Sequence, residues 1–436
     1  MTNLPFGFNQ PEDPDESGRG GEQNNPFAAF GASNPQELSH LLHRFADLMS
    51  WQGGPVNWDL AKDVARHAIT READPTVTDV ERRQVEEALR LADLWLDEVT
   101  TLPSGVTTPE AWSRAEWIER TLPVWSQLCD PIAARVVESM GTVLPQEMQG
   151  VAGPLFTVVR QMGGMMVGGQ AGQALGALAQ EVVGSTDVGL PLTPAGNAAL
   201  LPKGVAAFGE GLGVPDDQVR LYLALREAAH HRLFTHAPWL RARLLGAVEE
   251  YARGITIDMG RLEDAVSHID PSDPEALQNA LQGEALFQSE ETPEQRAALT
   301  RLETLLALVE GWVDAVVDAA ARDRLPGAAP LAEAVRRRRA EGGPAERTFA
   351  ALVGLELRPR RLREAGALWR ALGDERGAEG RDAVWGHPDF MPTGEDLDHP
   401  EEFARRRGGD LDISSLESPD DKDTGAKDPD EDEPGG

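Results

Sequence analysis

The sequence predicts a mainly α protein: one large helical domain over residues 35–405, with disordered tails at 1–34 and 406–436. Three observations predict it. Apolar residues recur at spacings of three and four along most of the chain, the period of a helix face. The alternation of β-branched residues that marks a strand occurs only near Gly254-Ile255-Thr256-Ile257-Asp258, too short to build a sheet alone. Both ends are rich in Pro, Gly and charged residues, a composition that buries too little apolar surface to offset its ordering entropy.

The elements follow in order. In the first tail only Phe6, Phe8, Phe27 and Phe30 break the polarity. Asn34-Pro35 then reads as the cap and first turn of a helix carrying Leu38, Leu41, Leu42, Phe45, Leu48 and Met49. A second helix carries Trp58, Ala61, Val64, Ala65 and Ala68, and a long amphipathic one follows Thr78 with Val85, Ala88, Leu89, Ala92, Leu96 and Val99. Thr108-Pro109-Glu110 reads as the opening of another, bearing Trp112, Trp117 and Ile118. Residues 161–180 carry no charge and are long enough to raise the question of a membrane span. Gln161, Gln170, Gln173, Gln180 and many glycines make the stretch only weakly apolar, so it reads as a buried helix and no membrane insertion is expected. Its Gly164, Gly168, Gly172 and Gly176 form a smooth stripe that invites close approach of another backbone. A Pro/Gly-rich connection covers 184–215, Pro215-Asp216-Asp217 opens a helix over 219–234, and Leu302, Leu305, Leu306, Val309, Val313, Val316 and Val317 mark a further amphipathic helix. Arg336-Arg337-Arg338-Arg339 reads as a solvated helix end, with binding of an acidic partner or of the chain's own acidic tail as the alternative. Residues 409–436 hold 11 Asp/Glu and 2 Lys, a net of −9, and read as a solvated tail.

Charge and cysteine content narrow the function. With 41 Lys+Arg against 73 Asp+Glu the net charge is −32, which argues against nucleic acid and anionic membrane surfaces as general partners. The single cysteine, Cys129, excludes an internal disulfide framework and a Cys-rich zinc site, and reads as a packing residue. A reducing, cytoplasmic location fits, and the N-terminus has neither the basic start nor the apolar run of a signal peptide. There is no P-loop, dinucleotide-binding fingerprint or nucleophile elbow, and Gly184-Ser185-Thr186 has no motif context.

The helix over 219–234 carries the chemistry. His230, His231 and His236 fall within seven residues, and imidazole both titrates near neutrality and binds metals. Arg226-Glu227-Ala228-Ala229-His230 is H-E-x-x-H with arginine at the first position. In that motif two imidazoles hold zinc and the glutamate activates its water, but a guanidinium has no lone pair to give a metal. In the later helix, Glu310 and Asp314 border the apolar stripe, so a buried Glu310 needs a partner: a metal, His230, or an arginine such as Arg226.

The run from Arg226 to Phe234, followed by Pro238-Trp239-Leu240, resembles the zincin-like metallopeptidase family, in a branch with degenerate metal-ligand motifs. Glu310-Gly311-Trp312 and Asp314 resemble that family's second motif, Glu-Gly-His, except at the histidine. Gly54-Pro55-Val56-Asn57-Trp58, the glycine-rich helix, Asp187-Val188-Gly189-Leu190-Pro191 and Arg358-Pro359-Arg360-Arg361-Leu362 extend the resemblance over roughly residues 50 to 390. It implies a zinc-dependent peptide hydrolase with Glu227 as general base and His230 and Glu310 as metal ligands. Arg226 would stand at the first ligand position and Trp312 at the second motif's histidine, with His231, His236 and Asp314 as further residues of the pocket. Glu250, twenty residues after His230, ranks below Glu310 as a ligand. Two functions are then expected as rivals: a zinc-dependent metallopeptidase, or an inactive helical scaffold that binds a peptide or protein, with Arg226 paired to Glu310 in place of the metal.

Overall fold

The computed structural model describes residues 54–71, 74–142, 152–253, 292–340 and 361–406. The tail at 1–34, the helix expected over 38–49, the alternation at 254–258 and residues 407–436 lie outside them. Among the described residues there are twelve α-helices and one two-stranded sheet, so the fold is mainly α as expected. No helix among them is long and apolar enough to cross a membrane.

Helix α1 (Trp58–Thr70) opens where the Asn57 side chain accepts the Leu60 N–H at 3.0 Å. It crosses α4 (Ala152–Glu181) along the glycine stripe. A Cβ at Gly168 would lie 2.6 Å from the Asn57 carbonyl oxygen, and one at Gly172 would lie 2.5 Å from that of Ala61. The glycines therefore permit a backbone-to-backbone crossing that any side chain would push apart. Helix α2 (Asp79–Leu96) starts on the Thr78–Glu81 capping box and buries Val85, Ala88, Leu89, Ala92 and Leu96.

The reading of Thr108-Pro109-Glu110 as a helix start is corrected here. Thr108–Ala111 is strand β1, paired in parallel with β2 (Asn197–Leu200) in the register Thr108↔Asn197 to Ala111↔Leu200. Helix α3 (Arg114–Thr142) begins after it, where Ser113 and Glu116 each accept the other's backbone N–H, at 3.2 and 2.8 Å. Proline suits an edge strand as well as a first helical turn, and β1 is an edge. On the far side of β2, Gly184 bridges Leu200 and the Ser185 N–H reaches the Ala199 carbonyl at 2.9 Å.

Helices α5 (Pro202–Gly209), α6 (Asp216–His236), α7 (Pro238–Arg253), α8 (Pro293–Ala321), α9 (Ala328–Ala340) and α10 (Leu362–Asp382) follow, then the short α11 (Gly394–Asp398) and α12 (Pro400–Arg405). The centre is α6, packed by α2, α8 and β2. Every residue from Tyr222 to Leu233 is buried, including Arg226, Glu227, His230, His231 and Arg232. Such a helix must satisfy its charges inside the protein. Helix α8 crosses α10 closely: a Cβ at Gly311 would lie 2.7 Å from the Ala365 carbonyl carbon, and the Trp369 indole N–H donates to the Leu308 carbonyl at 2.8 Å. Trp112, Trp117, Trp125, Trp312, Trp369 and Trp385 anchor the core, and Cys129 is buried with them, in agreement with a packing role.

Candidate functional site

Two buried carboxylates organise the site, Glu227 on α6 and Glu310 on α8. Both lie under the segment 184–192. A Cβ at Gly184 would lie 2.7 Å from Glu227 Oε2, and one at Gly189, whose φ is +74°, would lie 3.0 Å from Glu310 Oε1. Only glycine meets both the left-handed backbone and the close approach at 189.

Glu227 is surrounded by donors. Its Oε1 accepts the backbone N–H groups of Ser185 and Ala199, each at 3.2 Å, and the Ser185 hydroxyl. Its Oε2 accepts the Thr186 N–H at 3.1 Å and the Thr186 hydroxyl at 2.6 Å. His231 Nε2 lies 3.3 Å from Oε1 and 3.2 Å from the Ser185 Oγ. Burial alone would raise this carboxyl's pKa, but His231, Ser185 and Thr186 favour the anion strongly enough to hold it at about 2. Such a group is a poor proton acceptor near neutrality. What it does is fasten the segment 184–186 and the strand β2 to α6.

Glu310 is held by three cationic or protic groups from two other helices. Arg226 Nη2 donates to Oε2 at 2.7 Å, while Arg226 Nη1 is paired with Asp314 one turn further along α8. His230 Nε2 lies 3.0 Å from Oε1 and Arg339 Nη2, from α9, lies 2.8 Å from the same oxygen. His230 Nδ1 lies 2.8 Å from the Arg226 carbonyl oxygen. Burial pushes the Glu310 carboxyl up, yet Arg339, His230 and Arg226 hold it well below the usual carboxylate range. Burial also works against the Arg226 guanidinium, which Asp314 and Glu310 keep charged.

The remaining sequence candidates disperse. Trp312 is fully buried, but its indole N–H donates at 2.9 Å to Asp382, in a separate cluster where Thr100 and Arg381 also bind that carboxylate. His231 belongs to the Glu227 network, and His236 is exposed at the end of α6. Glu250 makes a surface pair with Arg301, far from burial. Asp314 lies at the rim with its side chain 31 % exposed. Sequence reasoning missed Ser185 and Thr186, whose only signal was two hydroxyls after a glycine. It also took the whole run 336–339 as solvated. The structure corrects that: Arg338 turns inward to Asp187 at 2.9 Å and to the Glu181 carbonyl at 2.6 Å, and Arg339 turns inward to Glu310 and to the Asp187 carbonyl at 3.3 Å.

This donor set does not fit a zinc ion. The position expected for the first ligand is a guanidinium, the carboxylate expected for the third has a cation on each oxygen, and His230 directs its outer nitrogen at that same carboxylate. Among the described residues no group of three or more His, Cys, Asp and Glu side chains is arranged to hold a metal.

The model of the zincin-like metallopeptidase family matches residues 56–404. Among solved structures, the chain is similar to "a putative hydrolase with a novel fold" from Chloroflexus aurantiacus, with a TM-score of 0.56 at 23 % identity over 80 % of this chain and 97 % of that one. At that identity the similarity concerns the fold. A search of curated proteins finds no match.

Proposed function

The chain belongs to the zincin-like metallopeptidase family, and from that premise we propose that it is a metal-independent, non-hydrolytic member that acts as a helical scaffold binding a peptide or protein. The family implies a metal, usually zinc, and hydrolytic chemistry in general. The observation that carries the departure is the Arg226 guanidinium on Glu310 at 2.7 Å, the pair occupying the ground where two ligands would meet a metal. Two further features support it. Glu227, the residue the motif supplies as general base, has its lone pairs spent on Ser185, Thr186 and Ala199. His230, the retained histidine, has both nitrogens engaged. A peptide or protein partner follows from the substrate class of the family, and the net charge of −32 favours a basic one.

The test has two arms. Zinc content of the untagged protein is measured by elemental analysis, and a diverse peptide library is incubated with the protein, with and without added zinc, and followed by mass spectrometry. Peptides retained intact, with no metal bound, are the expected result. Cleavage that disappears in Glu227→Gln would overturn the proposal in favour of the hydrolytic reading, which the family and the retained Glu227, His230 and Glu310 favour.

A further inference from the structure

We propose that Arg226 and Arg339 together stand in for a divalent cation on Glu310, and that each of them opposes metal binding at the site. This rests on the metal-independent reading above and names the second residue that enforces it.

Glu310 is 3 % exposed, and a carboxylate so buried must have its charge compensated nearby. In a zinc site one dication does this. Here two monovalent cations do it, from different helices, and they divide the carboxylate between them. Arg226 holds Oε2 at 2.7 Å and Arg339 holds Oε1 at 2.8 Å. Removing one arginine leaves one oxygen of Glu310 without its guanidinium, so neither alone covers the carboxylate.

Arg339 is held at a second point as well. Its other contact, to the Asp187 carbonyl at 3.3 Å, and the Arg338–Asp187 pair at 2.9 Å tie the end of α9 to the segment that covers Glu310 at Gly189. Arg336, by contrast, pairs with Glu333 at the surface. The run of four arginines thus has an inner and an outer half, and the inner half belongs to the site.

The consequence concerns what restores a metal. Arg226→His recreates the spacing of two imidazoles four residues apart, but it leaves the Arg339 guanidinium on the oxygen that would face the ion. A positive charge one hydrogen bond from a ligand atom opposes binding, and partners at that distance change metal affinity by about 10- to 100-fold. Glutamine at 339 keeps an N–H donor without the charge.

The experiment compares wild type, Arg226→His and Arg226→His/Arg339→Gln. Zinc affinity is measured by competition with a chromogenic chelator, and Tm is measured with and without zinc. The double variant should bind zinc at least about tenfold more tightly than the single variant, and zinc should raise its Tm but not that of wild type. Equal affinities in the two variants would remove Arg339 from the argument. A folded double variant that takes no zinc would refute the equivalence with a cation. Should the double variant be unfolded without metal, it is refolded in the presence of zinc: recovery of its helical circular dichroism supports the proposal, and no recovery refutes it. Stoichiometric zinc on the wild-type protein would overturn the parent reading, and this inference with it.

Discussion

Glu227→Gln separates a catalytic glutamate from a structural one. A general base can lose its charge with little effect on the fold, because glutamine has the same shape. Here the environment was built for an anion. The depression of the Glu227 pKa from the ordinary 4.5 to about 2, at about 1.4 kcal/mol per pH unit, corresponds to about 3 kcal/mol of native-state stability. Hydrogen-bond accounting points the same way. If the amide nitrogen replaces Oε2 it confronts the Thr186 N–H, and if it replaces Oε1 it confronts that of Ala199, while the Ser185 N–H keeps the Ala199 carbonyl. Each buried donor left without an acceptor costs about 1–3 kcal/mol. At about 2 °C per kcal/mol for a domain of this size, Tm should fall by roughly 6 °C. The pH dependence has a definite sign. A depressed carboxylate contributes stability that is full above 4.5 and is lost as pH falls toward 2. The gap between wild type and Glu227→Gln, followed by urea unfolding, should therefore be about 3 kcal/mol at pH 7 and shrink steadily below pH 4.5. A variant within about 0.5 kcal/mol of wild type at pH 7, the range of an inert surface change, would refute the structural role.

Three other outcomes are expected. Arg226→Met strands Glu310 and Asp314 with too little positive charge and should destabilise by about 3–5 kcal/mol in denaturant unfolding, the cost of breaking a buried ion pair from one side. Trp312→His should not create a zinc site, because that side chain faces Asp382 rather than Glu310; elemental analysis should find no metal, and the lost packing should lower stability by about 3 kcal/mol or more. Cys129 is buried and its thiol is pushed up to about 12 by burial and by Asp130, so a thiol reagent at pH 8 should label it only at the rate of unfolding.

Most of the architecture was legible because helices announce themselves locally. Thr78 with Glu81 three residues on, and the apolar period through Leu96, specify α2 without reference to the rest of the chain. The glycine stripe was legible for the same reason, since helical spacing alone puts Gly168, Gly172 and Gly176 on one face. The sheet was not. Thr-Pro-Glu-Ala and Asn-Ala-Ala-Leu have no alternation, and each is a strand only because the other lies beside it. The pairing of Arg226 with Glu310 could be anticipated, because a carboxylate at the edge of an apolar stripe demands a partner and an arginine stood in the motif. Arg339 could not. Four consecutive arginines at a helix end look alike in sequence, and which of them turn inward is decided by where α9 meets Asp187 and Glu310.

The retained Glu227-x-x-His230 pattern also shows why motif survival is a weak sign of catalysis. Once Glu310 is buried between α6 and α8, removing positive charge from its surroundings costs several kcal/mol, so a cation must remain there whatever the protein does. Lysine would supply the charge but not the geometry. Arg226 engages Glu310 through one nitrogen and Asp314 through the other, a fork that a single ammonium does not reproduce. His230 stays because its ring spans the Arg226 carbonyl and Glu310, and Glu227 stays because three backbone N–H groups at Ser185, Thr186 and Ala199 would otherwise be buried with fewer acceptors. Arg226, Glu227 and His230 are thus each held in place by a local energetic requirement of the folded chain.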